Sequence, residues 1–339
     1  MFGPFFPTEH ANVSGFVFPG SESVNVSNSQ TLEWGALDQA MGSNMPCKLC
    51  GRDSSRLCEL PNQDSVTLLL TIYRCSGCAI VFVGDSISQE ELAQAYSRDW
   101  TGYFKAIEHE NRKKMLHSIK DIRSMVPISA HILDIGAGSG MFTQELHKAG
   151  FTHLAAHELP GSKLEHLKNM GCTVYQDFNY DCVPSNTFDV VTLLDVVEHV
   201  VDPQLLMDAC FRVLKPGGLV YFHTPVVSLM DRVMHALLGI KPLQAVGRLW
   251  QRGRTNIYHL QNYTPVALNS ILSKAGFVDV EVETRNELSW PLHGYIAVYL
   301  TNRLGWPSFM ARVLAPFMWP FLATDFFNSN KGIAWARKP

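Results

Sequence analysis

The sequence predicts an α/β protein with a doubly wound, mostly parallel seven-stranded sheet behind a small cysteine-rich unit. Short apolar strands alternate with amphipathic helices over 129–339, a pattern typical of parallel sheets covered by helices. A glycine-rich turn follows the first of these strands, as it does in Rossmann-like domains. Two C-x-x-C pairs lie ahead of the alternating region, within 46–84. Together these features predict a Rossmann-like domain preceded by a metal-binding unit.

The strands and helices can be assigned in order from their flanking residues. Five strands alternate with helices, and their sequences are HILDIG, which is short and buried, and HLAAHE, CTVYQD, FDVVTLLDVV and LVYFHTP. The helix GMFTQELHKAG stops at Gly150, and PQLLMDACFRVLKPGG is predicted as a helix with a glycine stop. A later helix runs from Thr264, its predicted cap, to Ala275. Two alternating strands, FVDVEVETR and KGIAWARK, are expected to pair at the edge of the sheet.

The composition is that of a globular chain without a strong overall charge. Of 339 residues, 46% are hydrophobic and 17% are charged, which excludes wholesale disorder. The net charge of −3 provides no general attraction to nucleic acid. The start of the sequence lacks the basic and apolar regions of a secretory signal, and no apolar run reaches transmembrane length. We therefore expect a reducing, cytoplasmic location and no nucleic-acid partner.

The chain divides into regions of different character. The start contains no Lys or Arg and is rich in Ser, Asn, Gly and Pro, which is typical of a mobile tail. We expect a flexible tail over 1–45, a cysteine unit over 46–84, a helical linker over 85–128, and the doubly wound domain over 129–339, with insertions at 226–258 and 286–330.

Three glycines follow the first strand at alternate positions, in the sequence IGAGSG. Gly136, Gly138 and Gly140 allow a tight turn and let a ligand lie against the main chain. The spacing differs by one residue from the G-x-G-x-x-G fingerprint of dinucleotide-binding domains. Asp134 stands just before the turn, where a carboxylate would repel a pyrophosphate and attract an ammonium or a sulfonium.

Further carboxylates follow the next two strands. Glu158 ends the second strand, where an acidic residue accepts hydrogen bonds from ribose hydroxyls. Asp177 follows the third strand and is placed to accept a hydrogen bond from an adenine amino group. Because parallel strands end at one edge of the sheet, we expect Asp134, Glu158 and Asp177 to line the same ligand site.

At this point the sequence resembles the class I S-adenosylmethionine-dependent methyltransferases. The motifs LDIGAGSGMF, HELP, YQDF, DVVEHV and RVLKPGGLVYFHTP occur in the family's order, and the resemblance resumes at HLQNYTPVALNSILSKAGF and ARKP. It is closest to the sugar C-methyltransferase and ubiquinone-type branch. The segment AYSRDWTGYF is similar to one that folds over the cofactor, so 85–128 is expected to include a cofactor lid. The resemblance implies S-adenosylmethionine as the cofactor, bound by Asp134, Gly136, Gly138, Gly140, Glu158, Asp177, Asp195 and Tyr103.

The two cysteine pairs predict a zinc ribbon. Cys47 and Cys50 form one pair and Cys75 and Cys78 the other, so four thiolates are available for a tetrahedral ion. The interval between the pairs is a little longer than the usual interval of about 15–20 residues. Cys58 lies between them and is interpreted as a spare thiol. The alternative is a set of buried or redox-active cysteines; the ribbon interpretation predicts one structural Zn²⁺.

The fourth strand supplies the candidate catalytic residues. Methyl transfer to a hydroxyl or carbon often requires removal of one proton, and imidazole exchanges protons readily near neutral pH. His199 is therefore the predicted general base, and Glu198 is expected to orient it or to contact the acceptor. The alternative is that His199 only packs under a helix start. His259 and Tyr263 either face the acceptor pocket or form a turn that packs against the sheet.

Both insertions are rich in apolar side chains. The stretch 286–330 holds most of the aromatic ones, and 226–258 contains several arginines. One interpretation is a cover over a bulky or lipid-linked acceptor, with peripheral membrane contact through 286–330. The other is a self-burying helical layer or a dimer interface.

These observations predict an enzyme that transfers a methyl group from S-adenosylmethionine to an oxygen or carbon of a small or lipid-linked metabolite. A sugar, a quinone and a polyketide-like compound all remain candidate acceptors. The alternative is a non-catalytic scaffold that binds partners through the ribbon and the insertions. The carboxylates at the strand ends and the Glu-His pair favour the enzyme.

Overall fold

The structure is a computed structural model that describes most of the chain from residue 45 onward. The described residues are 45–61, 69–84, 87, 101–160, 164–255, 259–288, 292–294, 296–297, 307 and 309–339, with the backbone alone at 61, 101–108 and 252–253. The predicted tail over 1–45 lies outside these residues except for its last one.

The described residues include twelve strands and nine α-helices. The strands are β1 (Met45–Pro46), β2 (Asp53–Pro61), β3 (Leu69–Cys75), β4 (Val81–Val83), β5 (Ile132–Ile135), β6 (Leu154–Glu158), β7 (Thr173–Gln176), β8 (Phe188–Leu194), β9 (Leu214–Pro225), β10 (Gln261–Asn262), β11 (Val278–Arg285) and β12 (Lys331–Arg337). The helices are α1 (Thr101–Met125), α2 (Met141–Lys148), α3 (Glu165–Asn169), α4 (Pro203–Val213), α5 (Leu229–Leu238), α6 (Gln244–Arg254), α7 (Pro265–Lys274), α8 (Phe309–Leu322) and α9 (Asp325–Asn328).

The larger sheet has the predicted doubly wound architecture. Its seven strands lie in the order β11-β12-β9-β8-β5-β6-β7. The strands from β9 to β7 are parallel, whereas β12 is antiparallel to both of its neighbours. The predicted pairing of FVDVEVETR with KGIAWARK is therefore confirmed, and it closes one edge of the sheet.

Apolar side chains fill both faces of this sheet. Along β9, Leu219 and Tyr221 belong to one buried cluster, and Val220 and Phe222 belong to the cluster on the opposite face. A strand that is buried on both faces reads as a continuous apolar run, which is why the sequence shows such runs here.

One predicted helix boundary is wrong. The sequence suggested that the helix of PQLLMDACFRVLKPGG continues to the glycines, but α4 ends at Val213. Leu214 is already extended, with φ −70° and ψ 142°, and it opens β9 opposite Phe188. Pro216 disfavours a helical conformation for the residue before it, so the chain turns into the sheet before the glycines.

The smaller sheet joins the cysteine unit to the rest of the protein. Its order is β1-β2-β3-β4-β10, so its last strand comes from a part of the chain that follows the insertion 226–258. Gln261 pairs with Phe82 and Asn262 with Val81, in antiparallel register.

The two insertions pack on each other. Met230 and Trp250 from the first share a buried cluster with Ala311 and Leu322 from the second. Asp231 ties the first insertion together, because it accepts hydrogen bonds from Trp250 Nε1 at 2.6 Å and Arg254 Nε at 2.9 Å. Among the residues that the structure describes, no helix combines the length and apolar character needed to cross a membrane.

Candidate active site

Three glycines shape the turn between β5 and α2. Gly136, Gly138 and Gly140 have φ of 70°, 56° and 76°, in the left-handed region that favours glycine. A Cβ at Gly136 would lie 2.6 Å from Val196 Cγ2. At Gly138 a Cβ would meet no atom of the described residues within 4 Å, so the main chain there borders open space. A ligand can lie against this loop at the carboxyl end of β5.

Asp134 lies beneath the glycine loop rather than on its surface. It is 2% exposed, and its carboxylate accepts hydrogen bonds from Thr143 Oγ1 at 2.7 Å and Thr192 Oγ1 at 3.1 Å. Burial raises the pKa of Asp134 to about 6, although both threonine hydroxyls oppose the shift. The residue thus braces β5 against β8 and α2, directly below the open turn.

The ends of β6 and β7 carry the other predicted carboxylates. Glu158 ends β6 opposite Gln176, the last residue of β7. Asp177 follows, and its oxygens accept hydrogen bonds from His157 Nε2 at 2.8 Å and from the backbone N–H groups of Tyr180 and Cys182 at 2.7 Å. Burial raises the pKa of Asp177, but the hydrogen bonds outweigh it and hold the pKa below its ordinary value. The structure therefore brings Glu158 and Asp177 to neighbouring positions at one sheet edge.

The Glu-His pair lies just beyond the carboxyl end of β8. Glu198 is fully buried, and its Oε2 accepts a hydrogen bond from Thr224 Oγ1 at 2.8 Å. Its Oε1 lies 3.8 Å from His199 Nε2 and accepts no hydrogen bond within the described part of the chain. The ring of His259 stands 4.9 Å from the ring of His199. Burial raises the pKa of Glu198, although the nearby His199 opposes the shift.

His259 and Tyr263 have different surroundings. Burial holds the pKa of His259 well below its ordinary value, and the neighbouring His199 and Lys331 shift the pKa in the same direction. Tyr263 is fully buried, and its hydroxyl donates to the carbonyl of Val197 at 3.2 Å. Tyr263 therefore packs against the sheet, which is one of the two sequence interpretations. Its hydrogen bond also supports the backbone of the Glu-His segment, the stretch between β8 and α4 that contains Glu198 and His199.

An ionic network adjoins this site, buried except for Asp195, whose side chain is 41% exposed, and sequence reasoning missed it. His223, near the end of β9, is flanked by Asp195 Oδ1 at 3.0 Å from Nδ1 and by Glu287 Oε2 at 2.7 Å from Nε2. Lys331 Nζ donates to Asp195 at 2.6 Å. Lys114 of α1 is buried next to this group, and burial lowers its pKa to about 8. A histidine in the apolar strand LVYFHTP was the one signal of this network in the sequence.

The network favours the charged form of His223. Burial lowers the pKa of His223, but the carboxylates of Asp195 and Glu287 outweigh it and raise the pKa above its ordinary value of 6.5. Burial likewise opposes the ionisation of Asp195, yet Lys331 and His223 hold the pKa of Asp195 well below its ordinary value. Asp195, predicted as a cofactor residue, has a φ of 54° and is held in place by these two cations.

Stability should depend on pH through this histidine. Because the pKa of His223 is raised, its stabilising contribution is complete below pH 6.5 and is lost as the pH rises through the raised value. We expect the advantage of the wild type over His223→Gln in free energy of unfolding to shrink from pH 6 toward alkaline pH. Urea unfolding of both proteins measures this difference, and the subtraction removes the contributions of titrating groups that lie away from the network. A difference that does not vary with pH would contradict the assignment.

The four cysteines of the smaller sheet form one cluster. Cys47 Sγ lies 3.7 Å from Cys78 Sγ, and Cys50 Sγ lies 3.4 Å from Cys75 Sγ. All four sulfurs lie within 4.8 Å of one another. Cys58 is outside the cluster, and burial raises the pKa of its thiol to about 12.

The last predicted cofactor residue is only partly described. Tyr103 lies in α1, which begins at Thr101, but its side chain is outside the described part of the structure. Its role over the cofactor stays a prediction.

The sheet order, the open glycine loop and the carboxylates at the strand ends define a Rossmann-like domain of the kind that binds nucleotide cofactors. Residues 107–282 match a family model described as "Methyltransferase domain". The chain belongs to this family of methyltransferase domains.

Curated relatives match part of the chain. Over 155 residues it is 35% identical to the ubiquinone biosynthesis O-methyltransferase of Methylococcus capsulatus, covering 41% of this chain and 63% of that protein. Over 177 residues it is 28% identical to the protein of the same name from Colwellia psychrerythraea, covering 48% of this chain and 72% of that protein. The chain thus spans less than two thirds of the first relative's length.

Solved methyltransferase structures are similar at lower identity. One is the phosphoethanolamine N-methyltransferase 2 of Haemonchus contortus in complex with S-adenosyl-L-methionine, at 20% identity and a TM-score of 0.48. The match covers 80% of this chain and 63% of that structure.

Proposed function

We propose that the protein is an S-adenosylmethionine-dependent O-methyltransferase whose acceptor is a hydroxyl group on a quinone-like ring. One observation carries the proposal: the open glycine loop and the Glu198–His199 pair lie beyond neighbouring parallel strands, at the same edge of the sheet. The names of the curated relatives favour a quinone-like acceptor over a sugar or a polyketide.

The residues present suit the proposed cofactor. The space beside Gly138 admits a ligand against the main chain, and Glu158 stands one strand away, where ribose hydroxyls would need an acceptor. Both oxygens of Asp134 already accept hydrogen bonds, so this carboxylate acts on a bound cation through its charge. Asp177 is the residue that we assign to the adenine side, and Asp195 is the one that we assign to the methyl-donor side. When bound, S-adenosylmethionine supplies a methyl group on a positively charged sulfur.

His199 is the residue that we assign to proton transfer. Its Nε2 lies 3.8 Å from Glu198 Oε1, and its imidazole ring is the group that we assign to the proton of the acceptor hydroxyl. Glu198 is held by Thr224 and orients the ring, and a buried carboxylate beside it stabilises the imidazolium that forms. With the cofactor bound, His199 would take the proton of the acceptor hydroxyl as that oxygen bonds to the methyl carbon; the bond from this carbon to sulfur would break, and the electron pair would stay on the sulfur of S-adenosylhomocysteine.

The cysteine cluster suits a structural zinc ion. Sulfurs at about 2.3 Å from a tetrahedral ion lie about 3.8 Å apart, close to the separations found here. Cys47, Cys50, Cys75 and Cys78 would hold the ion with no open position, which is typical of a structural rather than a catalytic site.

The second insertion supports a lipid-linked acceptor. α8 leaves Phe317 71% and Trp319 56% exposed, and Phe326 of α9 is 75% exposed. A groove of about 460 Å³ runs along α8 beside Arg312 and Trp319. Aromatic side chains with an adjacent cation suit contact with a membrane surface or with an isoprenoid tail.

A transfer assay tests the proposed reaction. The full chain is incubated with S-adenosylmethionine carrying a labelled methyl group, and with hydroquinones or catechols that bear short prenyl tails. We expect label on a phenolic oxygen, identified by mass spectrometry. Transfer to nucleotide sugars alone would overturn the quinone-like acceptor, and no transfer to any acceptor by a protein that binds the cofactor would favour a scaffold.

Glu158 offers a direct test of the cofactor site. Glu158→Ala should weaken binding of S-adenosylhomocysteine by about 1–3 kcal/mol, since two ribose hydroxyls lose their acceptor. Calorimetry measures this, with Glu281→Ala on the exposed face of β11 as the matched control. Equal affinity in both variants would remove Glu158 from the site.

A further inference from the structure

We infer that the cysteine ribbon positions the Glu-His segment, because residues 260–264 join the two by hydrogen bonds on both sides. This inference rests on the proposed metal site. It assigns the ribbon a role in placing residues of the acceptor site, beyond a role in its own stability.

The backbone of the Glu-His segment depends on the residues around β10. The chain between β8 and α4 is irregular, so its carbonyl groups need partners from elsewhere. The carbonyl of Glu198 accepts from the N–H groups of Leu260 at 2.9 Å and Gln261 at 3.2 Å. Gln261 Nε2 donates to the carbonyl of Val200 at 3.1 Å. The position of His199 is thus set from residues that lie about sixty positions later.

On their other side, residues 260–264 are held by the cysteine ribbon, the unit over 46–84. β10 pairs with β4, and Val83 N donates to the carbonyl of Leu260 at 2.9 Å. β4 begins at Val81, shortly after the second cysteine pair, whose turn is closed by a hydrogen bond from Cys75 N to the carbonyl of Ile80. Leu260 therefore joins the ribbon and Glu198 through its own N–H and C=O groups.

Thr264 provides a second connection. Its hydroxyl donates to the carbonyl of Cys78 at 2.5 Å and accepts from Ala267 N at 3.1 Å, as the cap of α7. The residue is 3% exposed, so neither hydrogen bond is shared with bulk water. A shift of the Cys75–Cys78 turn would move Thr264 and with it the segment that carries His259.

The metal determines whether that turn stays in place. Four thiolates within 4.8 Å of one another repel unless a cation or protons neutralise them. Loss of the ion should loosen the second cysteine turn, then β4 and β10, and finally the contact between His199 and His259.

Histidine signals provide a readout that does not require an acceptor. The full-length protein is labelled with ¹³C at the Cε1 position of histidine, and signals are assigned with His199→Asn and His259→Asn. We expect removal of the metal by a chelator to shift or broaden the signals of His199 and His259. His131 and His153, which stack at the opposite end of the strands, are the internal controls and should not change.

Two variants of Thr264 separate its hydrogen bond to the carbonyl of Cys78 from its role as the cap of α7. Thr264→Ser keeps both hydrogen bonds and should match the wild type. Thr264→Asp keeps an acceptor for Ala267 N but cannot donate to Cys78, so its metal-loaded form should move the His199 and His259 signals toward their metal-free positions.

The outcomes distinguish this inference from the proposed function. A protein that contains no metal when purified without chelator overturns the metal site itself. A protein that loses its metal while the signals of His199 and His259 stay unchanged overturns the positioning role alone. Should Thr264→Asp fail to fold, the chelator experiment on the wild type still decides the question.

Discussion

His199→Ala is expected to lower the rate of methyl transfer about 10²–10⁴-fold, the usual contribution of a positioned general base. The side chain lies 3.8 Å from the buried carboxylate of Glu198, at the edge of the sheet where the glycine loop opens. Removing the imidazole leaves the acceptor proton without its assigned base. Single-turnover rates with a labelled methyl group measure the effect under conditions in which chemistry limits the rate.

Two comparisons make this prediction specific. His199→Asn keeps a polar side chain of similar size but cannot take the proton, so it should be as slow as His199→Ala. Both variants should bind S-adenosylhomocysteine nearly as well as the wild type, and His131→Ala, at the far end of β5, should retain full activity. Wild-type turnover in both His199 variants would show that the residue is structural and would move the search for a base to His259 or Glu198.

Cys75→Ser is expected to remove nearly the whole equivalent of zinc that we predict for each chain. Three thiolates and a hydroxyl bind the ion far more weakly than four thiolates, and structural zinc contributes about 10–16 kcal/mol of apparent binding free energy in small zinc domains. Metal analysis of proteins purified without chelator measures the loss, and a zinc-free wild type would refute the ribbon assignment.

Cys58→Ser is the matched control for the metal. Cys58 is buried in the same small sheet but lies outside the cluster, so its variant should keep the full zinc content. The effect of Cys75→Ser should extend beyond metal loss, because Ile80 and Phe82 of the ribbon belong to the same apolar cluster as Leu133 and Val191 of the larger sheet. We therefore expect a lower melting temperature as well as lost zinc.

Much of the fold could be predicted from local sequence signals. Thr264 and Pro265 predicted the start of α7, and the structure has Thr264 as its cap. The glycines of IGAGSG predicted a tight turn, and each of the three has a positive φ. The order of short apolar strands and helices predicted the parallel sheet, because such alternation has few other solutions. The sequence-based assignments of Glu158, Asp177 and Asp195 to the cofactor stay predictions.

Contacts between residues that are far apart in the sequence could not be predicted from local signals. Lys331 and Asp195 are 136 positions apart, and no local pattern links a lysine at the start of one strand to an aspartate at the end of another. β10 has two residues, too few for any periodicity, and its pairing with the ribbon depends on the fold of everything between them. The role of Asp134 as a brace was hidden for a similar reason, since Thr192 joins it only once β5 and β8 are adjacent.

The pairing of β10 with β4 also has a consequence for how such a protein evolves. Deleting the ribbon would expose the edge of β10 and leave the hydroxyl of Thr264 without the carbonyl that it contacts, 186 positions earlier in the chain. A lineage that lost the ribbon would therefore need substitutions in 259–264 at about the same time. We expect relatives to have gained or lost these two distant stretches of sequence together.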